Sequence, residues 1–246
     1  MTRVLFVGES WSVTSTHSKG FDSFTTTAYS EGGGALISVL EDAGFDVTYQ
    51  PCHVAMTSFP GTREELNGYD VVLFSDIGSN SFLLPHSTFL HGERSPNRLE
   101  LVRDWVHDGG GFGMIGGYLS FQGIEAKANY RNTAIAGMMP VEMEPGDDRR
   151  ETPQGVAPKP VGARSLTEGL EGSWPVLLGY QYLIPKTEST VHAMVDQDPL
   201  LVTGPHGSGR TLAYASDIGE HWAPVEFTDW PGFGRLWRQS VSWLAG

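Results

Sequence analysis

Four short segments along the chain read as strands from their apolar positions. Residues 3–8 (RVLFVG) and 69–75 (YDVVLFS) are continuous in apolar character, as is the run from Phe112 to Ile115, and 46–50 is a shorter piece. Unbroken apolar runs of this length mark strands buried on both faces, the pattern of a parallel sheet. Between them the spacing changes to that of helices. Leu36, Ile37, Val39 and Leu40 mark a helix over 33–43 that Gly44 stops, and a short helix is predicted over 62–66 behind Pro60. Ser95-Pro-Asn-Arg predicts a helix with Ser95 as N-cap and Pro96 at N1, its apolar face built from Leu99, Val102, Trp105 and Val106. Residues 9–29 and 81–94 are too polar for either period and read as loops.

The pattern changes after Thr133. Short strands are expected over 140–144, 189–195, 199–203 and 210–216, with Pro205-His-Gly-Ser-Gly209 as a hairpin turn between the last two. Residues 146–162 read as turn-rich, and 229–244 closes the chain as a helix packed through Leu236, Trp237, Ser240, Val241, Trp243 and Leu244. Strand alternating with helix argues for right-handed parallel crossovers. The fold class expected is therefore α/β: a flavodoxin-like three-layer α/β/α sandwich, mostly parallel, with an antiparallel C-terminal extension. No flexible linker interrupts it, so 1–246 is taken as a single domain.

Composition narrows the function classes. A formal charge of −13 without a Lys/Arg stripe argues against nucleic acid as a partner, and no apolar run approaches the ~20 residues that span a bilayer. One cysteine among 246 residues excludes an internal disulfide and fits a reducing, cytoplasmic setting. Seven Trp and 31 Gly fit either flat-walled pockets or aromatic subunit interfaces.

The segment Gly109–Gly123 (GGGFGMIGGYLSFQG) carries the densest chemical signal. A strand ending on Gly116-Gly117 brings backbone amides to the carboxyl edge of the sheet, where ligands bind in open α/β folds. Glu9, Asp76 and Asp217 each follow a predicted strand, the latter two within the repeated motif Ser-Asp-Ile-Gly. If those strands are parallel and central, the carboxylates share one edge with Gly116-Gly117 and can serve as general acid and base or bind a divalent metal. The bland reading, that each Asp caps its own turn, is the stronger one for Asp76 taken alone. His221 is the candidate for proton transfer. His17, His86 and His91 lack metal-ligand spacing, so no metal ligand is assigned and no cofactor is required. Cys52, beside His53, follows the second strand and reads as a small buried hydrophobe.

The motifs Ser75-Asp-Ile-Gly-Ser-Asn80, Met114–Gly123, Asp147-Asp-Arg149, Trp174-Pro, Leu178-Gly-Tyr180 and Ser216-Asp-Ile with His221-Trp222 resemble the glutamine amidotransferase-like family of the class I amidotransferase superfamily, similar in plan to trehalose-utilisation proteins. The resemblance runs over essentially the whole chain and implies a flavodoxin-like, oligomeric protein. It also implies a nucleophilic cysteine two residues after Gly113, where this chain has Ile115. A Cys-dependent glutaminase is thus not expected, and only His221, with Glu220 or Asp217 as orienting group, has a counterpart in the expected triad. Two readings follow. In one, the protein is an enzyme, a hydrolase or lyase, on a small polar metabolite such as a carbohydrate or amide. Glu9, Asp76, Asp217 and His221 are then catalytic, Gly116, Gly117, Tyr118 and Ser120 line the floor, and Trp11, Phe121 and Trp222 form walls. In the other, it is a non-catalytic ligand-binding or scaffold protein built as a homo-oligomer.

Overall fold

The structure, a computed structural model, describes residues 1–162 and 165–246. Strand β1 (Arg3–Gly8) is followed by β2 (Ser10–Lys19), β3 (Asp22–Glu31), helix α1 (Gly34–Asp42) and β4 (Asp46–Gln50). Helices α2 (Cys52–Ser58) and α3 (Arg63–Leu66) lead to β5 (Val71–Ser75); α4 (Asn80–Leu83), α5 (His86–His91) and α6 (Arg98–His107) lead to β6 (Gly111–Ile115). After α7 (Ala134–Met138) come β7 (Val141–Met143), β8 (Arg149–Val156), β9 (Pro158–Pro160), β10 (Leu177–Gln181) and β11 (Leu183–Pro185). Then β12 (Thr190–Val195), β13 (Asp198–His206) and β14 (Gly209–Tyr214) precede α8 (Val225–Thr228) and α9 (Pro231–Ala245).

The main sheet has the order β4-β1-β5-β6-β14-β13-β12-β9, parallel through β14 and antiparallel beyond it. Counted along the chain, its parallel strands run second, first, third, fourth, fifth. This is the flavodoxin-like order, in which the crevice beside the reversal point, here between β1 and β5, receives ligands. Helix α9 lies on β5, β6 and β14 and packs against α1; α2 lies on β1 and β4, α6 on β14, and α4 bridges α2 and α6. The apolar runs account for the core. Val4–Val7 and Val71–Phe74 are fully buried, and Phe74 stacks on Phe82 at 4.3 Å with Phe59 and Phe112 edge-on.

Several expectations need correction. Residues 9–29, expected as a loop, form most of a hairpin whose strands β2 and β3 pair residue for residue from Ser10↔Glu31 to Lys19↔Asp22. Threonine is β-branched and favours extended backbone, and the polarity of this Ser/Thr-rich segment hid that preference. Residues 81–94 are not one loop, since α4 and α5 occupy most of them. Residues 146–162, expected as turn-rich, hold β8 and β9, and Cys52, after β4, opens α2. Strands β8 and β10, and β7 and β11, pair in two small sheets apart from the main one. The N-cap of α6 is Asn97, two residues beyond Ser95: its Oδ1 accepts from the N–H groups of Leu99 (3.2 Å) and Glu100 (3.3 Å). Asn97→Ala is expected to cost ~1 kcal/mol and lower the melting temperature by ~2–4 °C in a thermal melt.

Candidate functional site

Three carboxylates leave the carboxyl ends of three parallel strands. Glu9 directly follows β1, Asp76 directly follows β5, and Asp217 follows β14 with two residues between. Glu9 and Asp76 have left-handed backbones, with φ of 49° and 42°. Such positions cost about 1–3 kcal/mol in a side-chain-bearing residue and persist where the surroundings impose them, often at functional sites. The surroundings are visible: the Glu9 N–H donates to Ser75 O at 2.8 Å, and the Asp76 N–H to Ser120 Oγ at 3.0 Å.

The side chains converge. Glu9 is fully buried; its Oε2 accepts the Ser75 hydroxyl at 2.5 Å, while Oε1 has no partner among the described residues. Asp217, also fully buried, uses Oδ1 to accept from the N–H groups of Ile218 (2.6 Å) and Gly219 (3.1 Å), so half of it does cap its own turn. Its Oδ2 accepts no hydrogen bond from the described residues and faces His221 Nδ1 at 3.7 Å, ion-pair range rather than hydrogen-bond range. Asp76 does not cap its own turn: Oδ1 accepts from Leu119 N–H at 2.5 Å, reaching across to the loop after β6.

Crowding three carboxyls in a dry edge penalises their charged forms. Burial, then the negative charge of Asp217 and of Asp76, pushes Glu9 well above the usual carboxylate range, against the Ser75 hydrogen bond. Burial and Asp217 push Asp76 up to about 6, although the Leu119 N–H and His221 pull the other way. His221 is raised above 6.5: its approach to Asp217 is the largest cause, burial opposes it, and the charges of Asp217, Asp76 and Glu220 add to it. The edge thus holds a carboxyl lifted to about 6 beside an imidazole raised above its ordinary value.

Around His221 the walls are aromatic. Its ring stacks on Tyr118 (5.5 Å between centroids) and tilts against Trp11 (4.9 Å). Trp222 lies 5.6 Å from Tyr118, buried, with its indole N–H on Glu151 Oε2 at 3.0 Å. Phe121 is fully buried in the core. It is therefore a packing residue and not a wall. Ser120 is committed to the backbone, donating to Ile115 O at 2.5 Å. Ile115 itself is fully buried, and Gly116 and Gly117 form the turn beyond it.

One feature was missed by sequence reasoning. The amide of Gln181, at the end of β10, bonds both backbone groups of Gly117, donating to its O and accepting from its N–H at 3.4 Å. No local pattern marked this glutamine, because its partner lies 64 positions away. The charged run 147–151 sits on the site's rim: Arg149 spans Asp147 (2.9 Å) and Glu151 (3.3 Å) with its guanidinium 4.8 Å over the Tyr118 ring. Asp148 is fully buried and accepts from the N–H groups of Gln122 (3.0 Å) and Gly123 (2.8 Å), fixing the loop that carries Tyr118. Cys52 comes near the same edge, its thiol donating to Asp76 O at 3.8 Å, and burial raises its pKa, which keeps it a thiol and not a thiolate. Among the described residues no group of three His, Cys, Asp or Glu side chains is placed to hold a metal ion.

Comparison with known proteins gives a consistent picture. A family model described as "Putative glutamine amidotransferase" matches residues 3–246. Two cytoplasmic proteins of Salmonella typhimurium have closely similar structures. STM1381 is 45% identical over 99% of both chains with a TM-score of 0.96, and STM3548 is 44% identical over 98% of both with a TM-score of 0.95. A ThuA-like protein from Parabacteroides merdae, 11% identical, covers 99% of this chain and 90% of its own with a TM-score of 0.56, a likeness of fold alone. No curated protein matches the sequence.

Proposed function

The chain belongs to the glutamine amidotransferase-like family, and from that premise we propose that its carboxyl-edge site performs acid–base chemistry, as a hydrolase or lyase, on a small polar metabolite in the cytoplasm. The observation that carries the reading is the gathering of Glu9, Asp76 and Asp217 at one buried edge, with Asp217 Oδ2 facing His221 Nδ1 and Glu9 Oε1 buried without a partner among the described residues. Buried polar atoms without partners are uncommon, and a ligand hydroxyl or amide N–H would satisfy them. In this reading the Asp217 charge, 3.7 Å away, favours a proton on His221 Nδ1 and leaves Nε2 to the substrate. Asp76 is the base whose pKa lies nearest neutrality. Trp11 and Tyr118 give the substrate flat faces to stack on, and the described Salmonella relatives supply the cytoplasmic setting. A cysteine mechanism is not proposed, because Cys52 is held as a thiol.

The test is a thermal-shift screen of neutral polar metabolites and divalent metals against the wild-type chain, Asp217→Asn and His221→Ala. A ligand of this site raises the melting temperature of the wild type by mass action and of neither variant. Hits that both variants retain place binding elsewhere and defeat the proposal. Independently, an NMR titration of His221 is expected to report a pKa above 6.5 that falls in Asp217→Asn, since the raising partner is gone and the burial penalty stays. An unmoved value would remove Asp217 as the orienting group. One observation favours the second reading, ligand binding without turnover in an assembly: the β2–β3 hairpin stands in solvent at the site's border.

A further inference from the structure

A cavity of about 450 Å³ opens beside the site, between the root of the β2–β3 hairpin, the start of α1 and the loop that follows Asp217. Trp11, Glu31, Gly32, Gly34, Gly219 and Glu220 line it, and its size is that of a small-molecule pocket. Two of its glycines border Glu9. A Cβ on Gly32 would lie 2.9 Å from Glu9 Oε1, and a Cβ on Gly219 would lie 3.3 Å from the same oxygen. Neither glycine has a positive φ, so the backbone does not demand glycine at either position. What the two missing side chains provide is room over Oε1. That oxygen belongs to a fully buried carboxyl and has no partner among the described residues. An acceptor buried in this way is costly, and a donor entering between the two glycines would satisfy it. Such a donor meets more than Oε1, because the position of a Gly219 Cβ also lies 3.7 Å from Gly32 O and 3.8 Å from Asp217 Oδ1.

We propose that this cavity binds a small hydroxylated amine, whose ammonium donates to Glu9 Oε1 between Gly32 and Gly219. Charge selects the cation. Among the described residues that line the cavity, Glu31 and Glu220 carry the only formal charges, and two of the three oxygens around the gap belong to further carboxyls. An anion is repelled from such a lining, whereas an ammonium brings three donors to the three oxygens. Trp11 adds an aromatic wall beside which a cation is favoured. A cation there would also favour the ionised form of Glu9, which burial and then the charges of Asp217 and Asp76 oppose. The hydroxyl answers to α1. Gly34, the first residue of that helix, lines the cavity, and its N-cap Gly33 has no side chain to accept from the first-turn N–H groups. Those donors suit a ligand oxygen, and the acidic lining favours an uncharged one. A metal ion does not fit the same place, since among the described residues no three ligating side chains are grouped to hold one. The inference rests on the proposed acid–base reading only for calling this amine the substrate; its binding is measured without any turnover.

Isothermal titration calorimetry of the full chain tests it, with glucosamine as the probe and glucose as the control that keeps the ring hydroxyls and lacks the charge. The variants are Glu9→Gln and Gly219→Ala. Glutamine keeps an acceptor for the Ser75 hydroxyl and turns an amide N–H₂ to the gap, and alanine keeps the Gly219 N–H that Asp217 accepts while its methyl covers Oε1. Glucosamine is expected to bind the wild type at least ~10-fold more tightly than glucose, and each variant is expected to raise its dissociation constant ~10-fold. Glucosamine binding no tighter than glucose overturns the proposal, and so does an affinity that Glu9→Gln leaves unchanged, even where Gly219→Ala fails to fold. No glucosamine binding, together with a neutral hit in the thermal-shift screen that Asp217→Asn and His221→Ala both abolish, overturns the amine and keeps the acid–base site. Glucosamine binding that Glu9→Gln weakens, in a chain whose screen yields no hit lost in those two variants, keeps the amine pocket and removes the acid–base reading.

Discussion

Asp76→Asn is expected to raise the melting temperature at about pH 8 and leave it nearly unchanged at about pH 4. Burial and Asp217 lift the Asp76 carboxyl from 3.8 to about 6 in the folded chain. A carboxyl raised on folding binds its proton more tightly folded than unfolded. Its contribution to stability is therefore intact below the unfolded value and is lost as pH rises through the folded one. Above about 6 the wild type must keep a charge at a dry edge beside another carboxylate. Asparagine removes the charge and keeps the acceptor that Leu119 N–H needs. Two pK units set an upper bound of ~3 kcal/mol, and sharing of charge among the three carboxyls brings the expected gain to about 1–3 kcal/mol. For a chain of this length that is a rise of roughly 2–10 °C in a melt. Equal melting temperatures of variant and wild type at the higher pH would show that the Asp76 charge is solvated, and the acid–base reading would lose its base. A variant that gains stability and loses ligand response is the signature of a strained functional group.

Asp148 is a useful contrast, because burial also lifts it to about 6. Its two oxygens are both engaged by backbone donors, Gln122 N–H and Gly123 N–H, so it is held by hydrogen bonds that an asparagine could only half replace. Burial is the first cause of the rise at both and backbone N–H donors oppose it, but at Asp76 the negative charge of Asp217 adds to it. What separates Asp76 and Glu9 from Asp148 is their left-handed backbone directly after a strand.

The parallel half of the fold was legible because its signal is local: each central strand is one apolar run, and each helix between them has a period and a stop. The common edge of Asp76 and Asp217 was legible too, since β14 pairs with β6 in parallel and β6 with β5. What escaped the sequence was set by distance or by solvent. Strands β8 and β10 pair across a long separation and carry mixed polarity, so neither shows a period. The hairpin arm has no core beneath it, and its alternation of Val13 and His17 with Thr14 and Thr16 reads as polarity until the register is known. Phe121 looked like a pocket wall because it follows Tyr118-Leu-Ser, but a left-handed φ of 51° coincides with a side chain buried in the core. Gln181 could not be found from its neighbours at all.

Gly117→Ala is expected to cost about 2–5 kcal/mol of stability, the sum of a backbone and a packing penalty. With φ at 138° the residue occupies a conformation that side-chain-bearing residues rarely adopt. A Cβ built there would lie 2.8 Å from Asp76 Cβ and 3.0 Å from its Oδ1. The backbone cannot swing away without breaking the paired hydrogen bonds to Gln181. A bulkier residue at this position, such as valine, is therefore no clean probe of ligand binding, since it disturbs the fold and the carboxylate together. Urea unfolding is expected to show a lower midpoint with an unchanged slope. A midpoint equal to that of the wild type would mean that the turn relaxes, and the close approach of Gly117 to Asp76 would cease to define the site. The two penalties can be separated. Asp76→Gly removes the Cβ that an alanine at 117 would meet, and glycine also suits the left-handed φ at 76, so the double variant is expected to recover the packing part of the loss. The backbone part stays, and the size of the recovery measures how tightly the turn after β6 is pressed against the carboxylate that follows β5.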